Sequence, residues 1–257
     1  MSTQQPARPY RQYPAYYFRA SPTYDAWVKL TIADVQALRS EPEFQAQHIY
    51  FHLNHPIRFI RLVGVIVAID DINAKYSAVT IDDGSGATIE LKIDRIPAED
   101  YNPVDSASNT VIDNVNIISQ LGVFEVLVDR TRLDIGMVIK AKGIISVFRS
   151  TKQLDLKRIW IVTTTNEEAQ TWAETAAFKQ DILSAPWYLS SMERKKIKSK
   201  IKAEKRRLQD YERRRAEHEA KKIEQKEALE AHMARREAKL EMRRRKEEAM
   251  MNSGALK

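Results

Sequence analysis

The chain has no cysteine, which removes disulfides, thiol catalysis and cysteine-ligated zinc from consideration and fits a reducing compartment. No apolar run approaches the roughly 18 residues that a membrane span needs, and the opening MSTQQPARPY lacks the apolar stretch of a secretion signal. A soluble, intracellular chain with no membrane role is expected. Motifs of chemistry are missing too: there is no phosphate-cradling glycine loop of Walker type, no G-x-S-x-G elbow and no H-E-x-x-H. His48, His52 and His55 lie close together, but Asn54-His55-Pro56 reads as a turn and no carboxylate is suitably placed. Asp82 and Asp83 resemble a catalytic pair, yet they stand where a hairpin turn wants aspartate. No catalytic residue, metal or cofactor is predicted, and the chain does not read as an enzyme.

What is present is centred on residues 57 to 93. A long apolar run, IRFIRLVGVIVAIDDI, is followed by KYSAVTI, the turn DDGSG and ATIELKI. In the last segment Ala87, Ile89, Leu91 and Ile93 alternate with Thr88, Glu90 and Lys92, the pattern of a strand with one wet face. Asp83-Gly84 and Gly86 supply the turn chemistry of a hairpin. Gly64, in the middle of the long run, predicts a bulge or sharp bend. A further strand is read at Val123 to Val128. MVIKAKGIISVFRS and QLDLKRIWIVTT read as the fourth and fifth barrel strands, while Pro97 to Ser119 is polar, turn-rich and without a confident helix. These features predict a mostly β fold: a five-stranded Greek-key OB-fold barrel, closed through its first, fourth and fifth strands, with flanking helices and a long charged C-terminal helical tail.

The chain order divides it further. Residues 1–15, with Pro6, Pro9 and Pro14, are expected to be disordered, and 16–185 to form the barrel domain with an N-terminal extension. Tyr16, Tyr17, Phe18, Tyr24 and Trp27 either close the open side of the barrel or stack on bases. Thr31 reads as the cap of a short helix ending near Arg39. Residues 166–183 read as a helix capped by Asn166, with one stripe of Ala169, Trp172, Ala173 and Ala176 and a second ridge of Phe178 and Ile182. The residues leave two readings of it, a plug for the barrel or a dock for another protein. From Ser190 to Met250 there is neither Gly nor Pro, and 22 Lys/Arg stand against 13 Asp/Glu, so this basic helical tail of residues 190–250 carries +9 and the remainder only −2 of the total +7. Its arginine triplets at 213–215 and 243–245 raise the local positive potential.

With chemistry excluded, nucleic-acid binding remains. Arg58, Arg61, Lys75, Lys92, Lys140, Lys142, Arg149, Lys152, Lys157 and Arg158 are the basic residues of the barrel, all but Arg58 and Arg158 taken as candidate phosphate contacts, and Tyr76, Phe148 and Trp160 are its candidate stacking rings.

FRASPTYDAWVKL, IYFHLNHPIRFIRLVGV, DDGSG, DIGMVIKAKG and KQLDLKRI followed by TTNEE resemble the fungal Stn subunit of the CST telomere-capping complex, a family similar to the middle subunit of replication protein A. The resemblance covers roughly residues 16 to 185. It implies a nuclear protein of the telomeric chromosome region that forms a heterodimer with the small OB-fold Ten subunit. Further implied partners are the large CST subunit, single-stranded telomeric DNA and polymerase alpha-primase. It also implies that the helix after the barrel, through Ala169, Trp172, Ala173, Ala176, Phe178 and Ile182, meets the partner. One departure stands out: nothing from Ser190 onward has the alternating helix and strand pattern of the winged-helix domains many members carry. A general single-strand-binding subunit of replication protein A type is the alternative.

Overall fold

A computed structural model describes residues 10–97, 99–102, 106–120 and 122–254. The chain divides into two compact units at Leu189/Ser190.

In the first unit, a two-residue strand β1 (Val28–Lys29) precedes a short helix α1 (Ile32–Ala37) whose cap Thr31 accepts from the Asp34 N–H at 3.2 Å. The long strand β2 (Phe59–Asn73), β3 (Tyr76–Asp82) and β4 (Thr88–Asp94) follow, then β5 (Val115–Gln120), β6 (Val123–Val128), β7 (Val138–Phe148) and β8 (Thr151–Val162). Hydrogen bonds join β1, β2, β7, β8, β4 and β3 in that order, and β3 pairs back onto β2, so the sheet closes on itself. β4 and β8 run parallel, while β2 meets β7 antiparallel from Phe59 to Val65. Inside lie alternate residues such as Ile60, Leu62, Ile81, Leu91, Ile139 and Leu154, all but sealed from water.

Two glycines make the closure possible. A Cβ at Gly64 would stand 2.7 Å from the Asp82 carbonyl, so its place in the long strand answers to the close passage of β3. The register breaks expected there occur further along, between Ile66 and Ala68 and between Asp70 and Asn73. Gly143 sits at the β7/β8 bulge, where a Cβ would come 2.4 Å from the Asp155 carbonyl.

Two readings of the sequence are extended or revised. Val123–Val128 lies in a separate three-stranded sheet, paired with Val115–Gln120 and with Thr131–Arg132, because the turn-rich stretch before it ends in a strand of its own. Of the segment expected to be disordered, residues 1–9 lie outside the described residues, but Tyr10 to Ala15 are placed. Tyr13 is buried, its hydroxyl accepts from the Leu189 N–H at 3.0 Å and its ring meets Trp187 at 4.8 Å. Asn54 completes this seam, donating to the Arg11 and Trp187 carbonyls and accepting from the Trp187 N–H.

The second unit is a helix, α3 (Ser191–Gly254). Ser190 and Glu193 cap it reciprocally, Ser190 Oγ accepting from the Glu193 N–H and Glu193 Oε2 from the Ser190 N–H. Ion pairs one turn apart, such as Arg215 with Glu219 and Arg245 with Glu241, line its exposed surface.

Candidate partner-docking and nucleic-acid interfaces

Helix α2 (Thr165–Phe178) continues into a widened turn, Lys179–Leu183. Its cap is Thr164, whose hydroxyl accepts from the Glu167 N–H at 3.2 Å, rather than Asn166, which lies inside the helix. The helix meets its own barrel through polar groups. Lys140 Nζ donates to Glu167 at 3.0 Å, and Arg61 donates to the Thr171 carbonyl and the Thr175 hydroxyl, each at 3.2 Å. Glu174 accepts from both Lys29 and Arg61, and those two bonds hold its carboxyl below the ordinary glutamate range.

That polar seam splits the expected docking ridge. Phe178 and Ile182 continue the face of Thr171 and Thr175 by helical spacing and pack, half-buried, on the core. Ala169, Ala173 and Ala176 point outward with Trp172, which is 54% exposed. Beside them opens a cleft of about 530 Å³ walled by Leu30, Val63, Gly84, Trp172 and Ala176.

The expected nucleic-acid residues separate onto two sides of the barrel. Around β3, β4 and the β7/β8 turn stand Lys75, Tyr76, Lys92, Arg149 and Lys152. Lys75 is exposed in the β2/β3 turn, where Asn73 Oδ1 accepts from the backbone N–H of Lys75 and Tyr76. Lys92 donates to Asp94 at 2.8 Å, which raises its pKa, and its Nζ lies 5.3 Å from the centre of the Tyr76 ring. Arg149 holds a left-handed turn position at φ 48°, 5.1 Å above Phe148. Lys152 spends its ammonium on the Gln36 carbonyl, and burial lowers its pKa. Phe148, Arg149 and Lys152 border a hollow of about 370 Å³ with Thr80, Glu90 and Gln153.

Lys140, Lys142 and Lys157 belong to the other side, with Arg61. Arg61 is only 7% exposed and its guanidinium is spent beneath α2, so the expected phosphate contact is corrected to a helix anchor. Alternation on a half-buried strand had put Arg61 on the wet face, and the helix laid over that face buries it. Among the N-terminal rings Tyr16 stays half exposed and Trp27 lies against Phe59, while Phe18 and Tyr24 are occupied. Phe18 is buried against Tyr24, Phe44 and Phe51 at 5.1 to 5.8 Å, forming a small core of their own instead of a stacking platform.

Sequence reasoning missed Lys29. Its strand is two residues long and pairs in parallel with β2, a contact that no local periodicity announces.

Residues 1–97 match the family model of the telomere regulation protein Stn1. Over 145 residues the chain is 28% identical to the CST complex subunit STN1 of Bos taurus, an alignment covering 55% of this chain and 37% of that protein. Over 161 residues it is 27% identical to protein stn1 of Schizosaccharomyces pombe, covering 63% and 41% respectively. A crystal structure of the S. pombe Stn1-ten1 complex superposes with a TM-score of 0.44 at 21% identity, over 62% of this chain and 96% of that one. The chain thus spans well under half the length of these two curated relatives. The telomere-regulating Stn1 family is therefore what this chain resembles, through a match that takes in its first 97 residues and relatives that align with more than half of it.

Proposed function

We propose that this chain is a non-enzymatic telomere-capping subunit of the CST type, working in the nucleus at the telomeric region of chromosomes. It forms a heterodimer with a small OB-fold partner of the Ten kind, helps to protect single-stranded 3′ overhangs and supports fill-in by polymerase alpha-primase. The observation that carries this reading is the outward Trp172. A tryptophan left half exposed beside an apolar cleft, on a helix that already satisfies its own barrel through Glu167, Thr171 and Glu174, is a surface built for something else. Large aromatic anchors beside pockets are where association energy concentrates. A helix of the partner laid along Ala169, Trp172, Ala173 and Ala176 would cover it, the alanines allowing close approach.

The test is co-expression with a single-OB partner of Ten type. Trp172→Asp abolishes co-purification while leaving the thermal midpoint of this chain unchanged, because the ring contributes little to its own fold. Full retention of the complex rejects α2 as the interface.

A second reading, a general single-strand-binding subunit of replication protein A type, draws on the hollow lined by Phe148 and Arg149 together with Tyr76 and Lys92. Equal affinity for G-rich telomeric and mixed-sequence strands favours it over the telomeric reading.

A further inference from the structure

The register of the barrel sets four cations in one row. Lys29 lies opposite Arg61, Arg61 opposite Lys142, and Lys142 opposite Arg158, on four neighbouring strands. Strands lie about 4.8 Å apart, so the row crosses about 14 Å of sheet. Like charges placed directly opposite each other destabilise a sheet. Glu174 answers the first two and Glu167 answers Lys140. Among the described residues Lys142 and Arg158 have no carboxylate partner, and Asp155 on the same strand as Arg158 accepts from Ser146 Oγ. Lys142 instead lies between two indoles, 5.2 Å from the Trp160 centre and 5.6 Å from that of Trp27. Burial, then the charges of Arg158, Arg61, Lys140 and Lys29, lower its pKa. Beside it Arg58 stacks over Phe59 at 5.0 Å with its buried Nε unpaired.

We propose that this outer face of β2, β7 and β8, on the other side of the barrel from the Phe148 and Arg149 hollow, is a track for the phosphate backbone of a single-stranded nucleic acid. Lys142 and Arg158 are its central contacts, and Arg58 and Lys157 flank them. Rows of positive charge at strand spacing fit a polyanion whose charges also repeat, and such contacts position a strand without reading its sequence. The tryptophan faces carry lysine ammonium groups, so this face contributes charge and not base stacking. The Tyr76 side differs in charge: there the lysine over the ring, Lys92, is already paired with Asp94. The inference rests on the chain being a single-strand-binding subunit.

The experiment is fluorescence anisotropy with labelled oligothymidylate and the full chain, titrated over a series of NaCl concentrations. Each phosphate contact to a single strand contributes about 0.7 to the slope of log K against log salt. The double variant Lys142→Glu/Arg158→Glu therefore makes the slope shallower by about 1.4 and lowers affinity at low salt at least tenfold, the α3 contribution cancelling between the two proteins. Lys142→Arg/Arg158→Lys, which keeps both charges, retains the wild-type slope and guards against misfolding as the cause. Tyr76→Ala lowers affinity with the slope intact. A wild type that binds while the charge-reversed variant keeps its slope overturns the track and leaves the single-strand reading standing. No binding by the wild type sinks both. If polyglutamate competes for the wild type but not for the variant while the DNA slope is unchanged, the face serves an acidic protein segment, and the inference is wrong.

Discussion

The two sides of the barrel are built from the same alternating strands, yet they handle charge oppositely. On the side of β3 and β4, the two cations of the sheet surface are answered one by one, Lys92 by Asp94 and Lys152 by the Gln36 carbonyl, while Lys75 and Arg149 stand apart in turns. On the side of β2, β7 and β8, a row of four cations meets a single carboxylate, Glu174, contributed by a helix from outside the sheet. A face with a run of adjacent, mostly unanswered charge suits a backbone or a helix bearing acids, whereas single cations answered locally do not. The difference also shows what α2 does for the fold. It is a counter-ion for half of the row as much as a cover for the core.

The largest effect that would break this comparison is steric. Gly143 allows the bulge that puts Lys142 opposite Arg158, and a side chain there meets the Asp155 carbonyl and Leu154. Gly143→Val is expected to cost about 2–4 kcal/mol in urea unfolding, with an unchanged midpoint refuting the close approach. Glu174→Ala comes next. It leaves the buried Arg61 guanidinium without its carboxylate and is expected to cost about 1–2 kcal/mol, a value held down by the half exposure of Glu174. If Glu174→Ala is neutral, the helix is not serving as counter-ion.

Thr164→Ala removes the cap of α2 and is expected to cost about 1 kcal/mol, while Asn166→Ala leaves stability within a few tenths, separating the two caps by calorimetry. The smallest effect has the opposite sign. Lys142→Gln relieves repulsion in the row and is expected to raise stability by about 0.2–0.5 kcal/mol, whereas Lys92→Gln, on the paired side, lowers it by about as much.

The same pair differs in pH dependence. The pKa of Lys142 is lower in the folded state, so the unfolded chain binds more protons there and stability rises as pH climbs from that lowered value towards 10.5. The pKa of Lys92 is raised, so its stabilisation is full below 10.5 and is lost as pH rises through the folded value. Unfolding midpoints of the two glutamine variants against wild type between neutral and alkaline pH should diverge in those opposite directions.

Much of this was legible along the chain. The alternation at Ile89, Leu91 and Ile93, the turn at Gly84 and Gly86 and the length of the run through Gly64 specify strands and hairpins, because side-chain period and turn chemistry are local. The stripe of Ala169, Trp172, Ala173 and Ala176 was readable from helical spacing for the same reason, but not whether the barrel would cover it. What was not readable was which wet face stays wet. Arg61 and Lys142 occupy equivalent places on their strands and are directly opposed, yet one is sealed under α2 and the other is not. Tyr13, in a stretch whose composition argues for disorder, is buried because Leu189 and Trp187 come back to it from the far end of the unit.

The sequence by itself determined the strands, the turns, the helices and the concentration of positive charge after Ser190, since each follows from interactions among residues close along the chain. Only the tertiary structure decided the rest: that Arg61 is an anchor, that Phe178 and Ile182 turn inward while Trp172 turns outward, and that Lys29, Arg61, Lys142 and Arg158 form one row. Those outcomes depend on strand register and on where a helix lands, and neither is a local matter: β7 meets β2 between residues 73 to 85 positions apart, and α2 meets Arg61 across 110.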